Sequence, residues 1–129
     1  MHEHKHSPDR VWTEKFRDAF RGLKLGLRGQ SSFFVHLFFT AAVIAAGLAL
    51  RVNLQEWCVL LLCITGVLAA ELFNTALESL ARAITDQMDP HVGSALDIGS
   101  AAVLVAAVGA AVVGTIILVN RLGALLTWW

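Results

Sequence analysis

The run WCVLLLCITGVLAAELFNTALESLA, residues 57–81, is long and apolar enough to cross a membrane, yet it carries ionisable side chains. Crossing ~30 Å of hydrocarbon takes about 20 helical residues. At about 100° per residue, Glu71, Asn74 and Glu78 fall within roughly 60° of one another on a single helical face. Polar groups at such a position are costly and usually functional, so AAELFNTALE, residues 69–78, is the candidate site.

The composition of the whole 129-residue chain is also that of a membrane protein. Hydrophobic residues make up 57% of it, and its mean hydropathy is +0.66, which is more apolar than an ordinary soluble domain. We therefore predict an all-α membrane protein in which residues 10–129 form a single membrane domain. Its predicted spanning helices are residues 31–50, 57–86 and 94–120.

The segment before the first span has a different character. In residues 10–29, apolar side chains such as Trp12 and Phe16 recur at intervals of three and four, and charged residues occupy the opposite side. This pattern predicts an amphipathic helix on the membrane surface. Residues 1–9 are polar and are predicted to form a disordered tail.

Positive charge predicts the orientation of the chain. Seven of the ten Lys and Arg residues lie in residues 1–30, and such residues favour the cytoplasmic side of a membrane. We therefore predict a multi-pass protein with a cytoplasmic N-terminus, in which Glu71 and Glu78 approach the cytoplasmic face. The formal net charge of the chain is zero, and no nucleic-acid partner is expected.

A further carboxylate, Asp97, lies in the predicted first turn of the last span, where the helix dipole favours negative charge. With Glu71, Asn74 and Glu78 it supplies oxygen ligands for Mg²⁺ and a base for a hydroxyl nucleophile, both of which phosphoryl transfer needs. The residues alone leave two other interpretations open: a polar seam that specifies helix pairing, and a proton or ion path. His36, in the first span, is interpreted as a hydrogen-bonded neutral side chain rather than a catalytic one.

Two blocks, ELFNTALE at residues 71–78 and LDIGSAAVL at 96–104, resemble the prokaryotic diacylglycerol kinase and undecaprenol kinase family of small three-span membrane enzymes. The similarity extends from about Phe20 to Val119 and includes the segment GLKLGLRGQSSFFVHL. It implies a homotrimer in the bacterial cytoplasmic (inner) membrane, with composite sites between subunits at the cytoplasmic face. It also implies that ATP and Mg²⁺ serve to phosphorylate a lipid hydroxyl. Diacylglycerol, giving phosphatidic acid, is favoured by the DIGSAAV run, and undecaprenol is the alternative.

The resemblance assigns roles to individual residues. Glu71 matches the family's general base. Asn74 and Glu78 match nucleotide and metal contacts, and Asp97 matches the acid of the third-span motif in the nucleotide site. The sequence interpretation therefore treats Glu71 as catalytic and Glu78 as both a nucleotide and a metal ligand.

Three positions depart from the family pattern. Gln30 stands where a second metal-binding Glu is usual, which leaves a weaker carboxamide ligand for Mg²⁺. Leu96 replaces a phosphate-contacting Lys, and Arg82 replaces an Asp one turn beyond Glu78. We predict that Arg82 supplies the missing positive charge to the nucleotide. The same departures give an alternative interpretation, a catalytically weak homologue that acts as a lipid-binding or structural membrane protein.

Overall fold

A computed structural model of the protein describes residues 11–28 and 31–127. The predicted tail at residues 1–9 and the predicted metal ligand Gln30 lie outside the described residues. The described chain is all-helical, as predicted, and its helices are α1 (Trp12–Leu27), α2 (Ser31–Ala49), α3 (Leu54–Ile84) and α4 (Pro90–Leu125).

Helices α2, α3 and α4 are each long and apolar enough to cross a membrane. In the most apolar window of these helices, only 11%, 17% and 6% of the residues, respectively, are buried within the chain. Apolar surface on that scale is not left in water by a folded protein, so it must face lipid or other protein. The prediction of three helices with the length and apolar composition of membrane spans is confirmed. The location of α1 on the membrane surface stays a prediction.

A capping box starts α3 at Leu54, three residues before the predicted start at residue 57. The Asn53 side chain accepts a hydrogen bond from the Glu56 backbone N at 2.9 Å, and the Glu56 carboxylate accepts one from the Asn53 backbone N at 2.8 Å. These reciprocal bonds satisfy two backbone donors that a helix start leaves without partners. The apolar run alone missed this turn because Gln55 and Glu56 are polar.

Pro90 begins α4, four residues before the predicted start at residue 94. The Asp89 carboxylate accepts hydrogen bonds from the backbone N of His91 at 2.8 Å and of Val92 at 3.1 Å. Proline suits a first helical position, since its φ is already helical and its missing N–H needs no partner there. Asp97 is therefore the eighth residue of α4 rather than part of its first turn. The helix-dipole argument for Asp97 was wrong, because that effect fades after the first turn.

Helix α3 is the central element, since α1, α2 and α4 all pack against it. Glycines permit two of these approaches. A Cβ atom at Gly26 of α1 would lie 2.6 Å from Leu72 Cδ2, and one at Gly47 of α2 would lie 2.8 Å from the Trp57 ring. Both distances are shorter than real Cβ contacts, so a larger residue at Gly26 would displace the end of the Leu72 side chain and one at Gly47 would displace the Trp57 ring. The Gly26 contact brings α1 to the residue that follows Glu71.

Candidate functional site

The buried polar side chains among the described residues are Glu71 and Asn74, which are 3% and 8% exposed. Both belong to the stretch that the sequence singled out, and they lie about 26 Å and 30 Å along α3 from Leu54. Burying a carboxylate without partners is very costly. The surrounding helices must therefore supply groups that compensate for its charge.

The groups that contact Glu71 come from α2. The Ser32 hydroxyl donates a short hydrogen bond to Glu71 Oε1. The His36 Nε2 atom lies 3.6 Å from Glu71 Oε2, which is within ion-pair distance but longer than a hydrogen bond. Ser32 and His36 are four residues apart and so share one face of α2. Each carboxylate oxygen thus has its own partner on that helix.

Asn74 lies between Glu78 and α4. Its Nδ2 atom donates a hydrogen bond to Glu78 Oε1 at 3.1 Å. Its Oδ1 atom is buried and accepts no hydrogen bond from the described residues. A Cβ atom at Gly99 would lie 2.6 Å from this oxygen and 3.0 Å from Leu77 Cδ1. The glycine of the LDIGSAAVL block is therefore what lets α4 approach Asn74.

Glu78 and Arg82 line an open groove where α3 turns into α4. The groove has a volume of about 610 Å³ and is bounded on the α4 side by residues that include Gly93 and Leu96. Glu78 is half-buried and Arg82 is exposed. The α3 residues predicted to contact nucleotide thus follow one another at four-residue spacing, with Glu78 and Arg82 in the groove and Asn74 buried one turn before them.

Asp97 is exposed, and it lines neither the groove beside Glu78 nor the apolar cavity between α2, α3 and α4. Within residues 11–28 and 31–127, no group of three or more His, Cys, Asp or Glu side chains is arranged to hold a metal ion. A single chain therefore places Glu71, Asn74 and Glu78 on one face of α3, whereas the Asp97 side chain is exposed on α4. Gln30 lies outside the described residues.

Sequence reasoning missed Ser32 altogether and gave His36 no part in the site. A signal was present, because Ser32, His36 and Thr40 recur at four-residue spacing and mark one polar stripe on an otherwise apolar helix. What the spacing could not indicate was which neighbouring helix this stripe faces. The structure directs its first two members to Glu71.

The fold and site together define a small multi-pass helical membrane protein whose central helix buries a carboxylate contacted by a second helix. Residues 17–118 match the family described as prokaryotic diacylglycerol kinase. The chain belongs to this family of membrane lipid kinases, as the resemblance predicted, and a kinase family implies an ATP-type phosphoryl donor.

Two relatives differ in the lipid that their names specify. The chain is 31% identical to undecaprenol kinase of Bacillus subtilis (strain 168) over 120 residues, which cover 93% of this chain and 97% of that protein. It is 35% identical to diacylglycerol kinase of Synechocystis sp. over 108 residues, which cover 83% of this chain and 62% of that protein. Membership of the lipid kinase family is thus shown, and the acceptor lipid is a separate question.

Proposed function

We propose that this protein is a Mg²⁺-dependent membrane lipid kinase that transfers the γ-phosphoryl group of ATP to diacylglycerol, giving phosphatidic acid. The observation that carries the proposal is Glu71, a carboxylate that is 3% exposed on a helix long enough to span a membrane. Burial on this scale has no evident role in packing, because aliphatic side chains would pack there at lower cost. It is expected of a base that must meet a lipid hydroxyl away from water.

The proposed role of Glu71 is to accept the hydroxyl proton as the lipid oxygen attacks the γ-phosphorus. Phosphoryl transfer needs positioning of the nucleophile and stabilisation of phosphate charge more than covalent chemistry from the protein. The Ser32 hydrogen bond to Oε1 restrains the carboxylate. Oε2, which lies beside His36 and is not bound by Ser32, is proposed as the oxygen that takes the proton.

The nucleotide and metal ion are assigned to the other side of Asn74. Mg²⁺ is commonly bound through one or two carboxylates together with substrate phosphates. The residues fit that requirement, since Glu78 offers a carboxylate and Asn74 Oδ1 is an amide oxygen that accepts no hydrogen bond from the described residues. Gln30 is proposed as a further ligand. When bound, Mg²⁺ neutralises charge on the nucleotide phosphates.

Arg82 is proposed to contact the nucleotide phosphates in place of a lysine at position 96. Arg82 and Leu96 line the same groove from opposite helices. This supports a role for Arg82 in place of the lysine that is usual at the position of Leu96. Its exposure leaves the guanidinium accessible to a ligand that enters from the aqueous side.

The proposed assembly is a homotrimer in the bacterial inner membrane with its N-terminus in the cytoplasm. Exposed apolar side chains follow α4 at seven-residue spacing, which supports a helix interface along this face; they are Ile98, Val105, Val112 and Val119. Asp97, next to the first of them, is assigned to the nucleotide site of a neighbouring subunit. Its exposure in the single chain is what such a composite site requires.

Undecaprenol is the second candidate acceptor. The specific observation in its favour is the match with undecaprenol kinase of Bacillus subtilis, which extends over 97% of that protein, whereas the match with the Synechocystis diacylglycerol kinase covers 62% of that one. Both lipids present a hydroxyl on an apolar chain, so Glu71 has the same task in either reaction.

The test is transfer of radiolabelled γ-phosphate by the purified full-length chain in mixed micelles. Diacylglycerol and undecaprenol are offered separately and in competition, with and without Mg²⁺. The proposal expects Mg²⁺-dependent labelling of diacylglycerol. Labelling of undecaprenol alone would transfer the assignment to the second candidate, and labelling of neither lipid by an intact oligomer would contradict the kinase proposal.

A further inference from the structure

We infer that His36 is the proton acceptor for Glu71, which removes the proton that Glu71 takes from the lipid hydroxyl and so restores the base after each turnover. The inference rests on the proposed function, since it requires Glu71 to act as a base. Its observation is independent of the family assignments, which gave His36 no role. Burial of Glu71 limits how the proton that it takes from the lipid can leave.

A carboxylate that is 3% exposed has little direct contact with water to which it could release a proton. Transfer to the lipid breaks the alcohol O–H bond and the bond from the γ-phosphorus to its bridging oxygen, and forms the new O–P bond. The bridging electron pair leaves with ADP, and the proton stays on Glu71. Until that proton departs, Glu71 cannot act as a base again.

His36 is placed to take this proton. Its Nε2 atom is 3.6 Å from Glu71 Oε2, the oxygen that Ser32 does not occupy. Hydrogen bonds between catalytic groups are often longer before the substrate binds and shorten in the reacting complex. A neutral imidazole with its proton on Nδ1 accepts at Nε2 and becomes imidazolium, and the carboxylate is regenerated.

The position of His36 also allows the proton to be released to solvent. Its side chain is 18% exposed, compared with 3% for Glu71. It follows the start of α2 by five residues, about 8 Å along the helix, so it lies near the predicted cytoplasmic boundary. The imidazolium can therefore lose its proton to interfacial water, which balances the one proton that the reaction releases.

Few other titratable groups surround His36. It lines an apolar cavity of about 300 Å³ between α2, α3 and α4. Helix α3 contributes Glu71 and, across this cavity, Cys63; α4 contributes only alanine and glycine to the lining. Among the described residues, Glu71 is accordingly the carboxyl group that faces His36, and its proton is the one that His36 can receive.

The experiment uses full-length variants in the mixed-micelle assay. His36→Ala is expected to lower kcat by about 10²-fold, the contribution typical of a general acid or base. Imidazole added to the buffer is expected to restore activity to His36→Ala in a saturable manner, because the substitution opens the cavity beside Glu71. Pyrazole, which has the same size and is far less basic, is expected to restore none.

A second variant distinguishes loss of the basic nitrogen from loss of the folded structure. His36→Gln keeps a polar side chain of similar length and removes the basic nitrogen. It is expected to lose a similar part of kcat, with little change in lipid KM. Thr40→Ala, one turn along α2 and on the same cavity wall, is the matched control and is expected to retain wild-type kcat.

Three results would overturn the inference while the proposed function stands: wild-type kcat in His36→Gln, equal rescue by pyrazole and imidazole, or no rescue of a correctly assembled His36→Ala. Each would mean that His36 only fills space beside Glu71. A wild-type chain that phosphorylates neither lipid would overturn the proposed function and the inference together.

Discussion

Two carboxylates on α3 differ in the kind of partner that each one has. Glu56, in the first turn, accepts a hydrogen bond from Arg121 Nε at 2.7 Å and caps its own helix. Glu71 contacts a serine hydroxyl and an imidazole, and among the described residues no Lys or Arg lies within 4.0 Å of it. Arginine never gives up its charge in a protein, whereas histidine does so near neutral pH. The Glu56 pair is therefore suited to a structural link and the Glu71 pair to proton exchange.

The largest expected difference between Glu56 and Glu71 appears when the charge is removed from each carboxylate in turn. Glu71→Gln is expected to lower kcat by about 10²- to 10⁴-fold, because general base catalysis is lost. Glu56→Gln is expected to leave kcat unchanged. Phosphate transfer in mixed micelles measures both effects, and circular dichroism checks helical content.

The opposite pattern would show that the comparison is mistaken. If Glu71→Gln retained its turnover and instead disturbed oligomer assembly, Glu71 would belong to a polar seam that specifies helix pairing. Size-exclusion chromatography with light scattering distinguishes the two cases, since a catalytic Glu71 can be replaced without a change in oligomer mass.

The next largest effect is expected at Gly99, where α4 meets Asn74. Gly99→Ala places a Cβ atom 2.6 Å from Asn74 Oδ1, so either the helices separate or the amide rotates. Overpacking of this kind costs about 1–3 kcal/mol, and displacement of Asn74 is expected to raise the KM for ATP. Thermal unfolding and ATP titration measure the two consequences.

Gly109→Ala is the matched control on the same helix, because a Cβ atom there has no neighbour within 4 Å. It is expected to leave KM unaltered and to stabilise the chain slightly, since alanine is the better helix former. Equal behaviour of the two variants would mean that α4 does not position Asn74.

Much of the fold could be predicted from hydropathy, because three runs of membrane length leave few alternatives. The ends of the helices could not, because capping rather than apolarity decides them. The Asn53 and Asp89 caps lengthen α3 and α4 into polar sequence. Hydropathy places the start of α4 at residue 94 rather than at Pro90, and this difference misplaces Asp97 relative to the helix terminus.

The candidate site was predicted only on the helix that carries it. Periodicity puts Glu71, Asn74 and Glu78 on one face, and burial of the first two agrees with a site on that face. Periodicity within α3 says nothing about α2, so Ser32 and His36 could not be assigned to Glu71. Contacts between helices depend on packing angles and close glycine approaches, which one sequence does not specify.

Arginines also differ between the two ends of α3, and this difference predicts a smaller effect. Arg121 is engaged with Glu56, whereas Arg82 is exposed on the groove that Leu96 lines. Arg82→Ala is expected to raise the KM for ATP about tenfold, in line with loss of one charge-assisted hydrogen bond. Leu96→Lys in that background is expected to recover part of the loss. Unchanged ATP affinity in Arg82→Ala would exclude the proposed compensation.

The smallest effect is expected for the Glu56–Arg121 pair, which we interpret as a structural link between α3 and α4. Arg121→Gln removes the cation beside Glu56 and is expected to lower the melting temperature slightly, with kcat and both KM values unchanged. Partly exposed ion pairs contribute little and are screened by salt, so the difference in melting temperature from wild type should shrink at high ionic strength.

Glu56→Arg combined with Arg121→Glu should regain part of the stability through the reversed pair, although the reversed pair lacks the helix cap that Glu56 provides. A fall in turnover in Arg121→Gln would mean that the end of the α3–α4 pair that carries Glu56 and Arg121 controls the site around Glu71. The two carboxylates would then be coupled rather than separate.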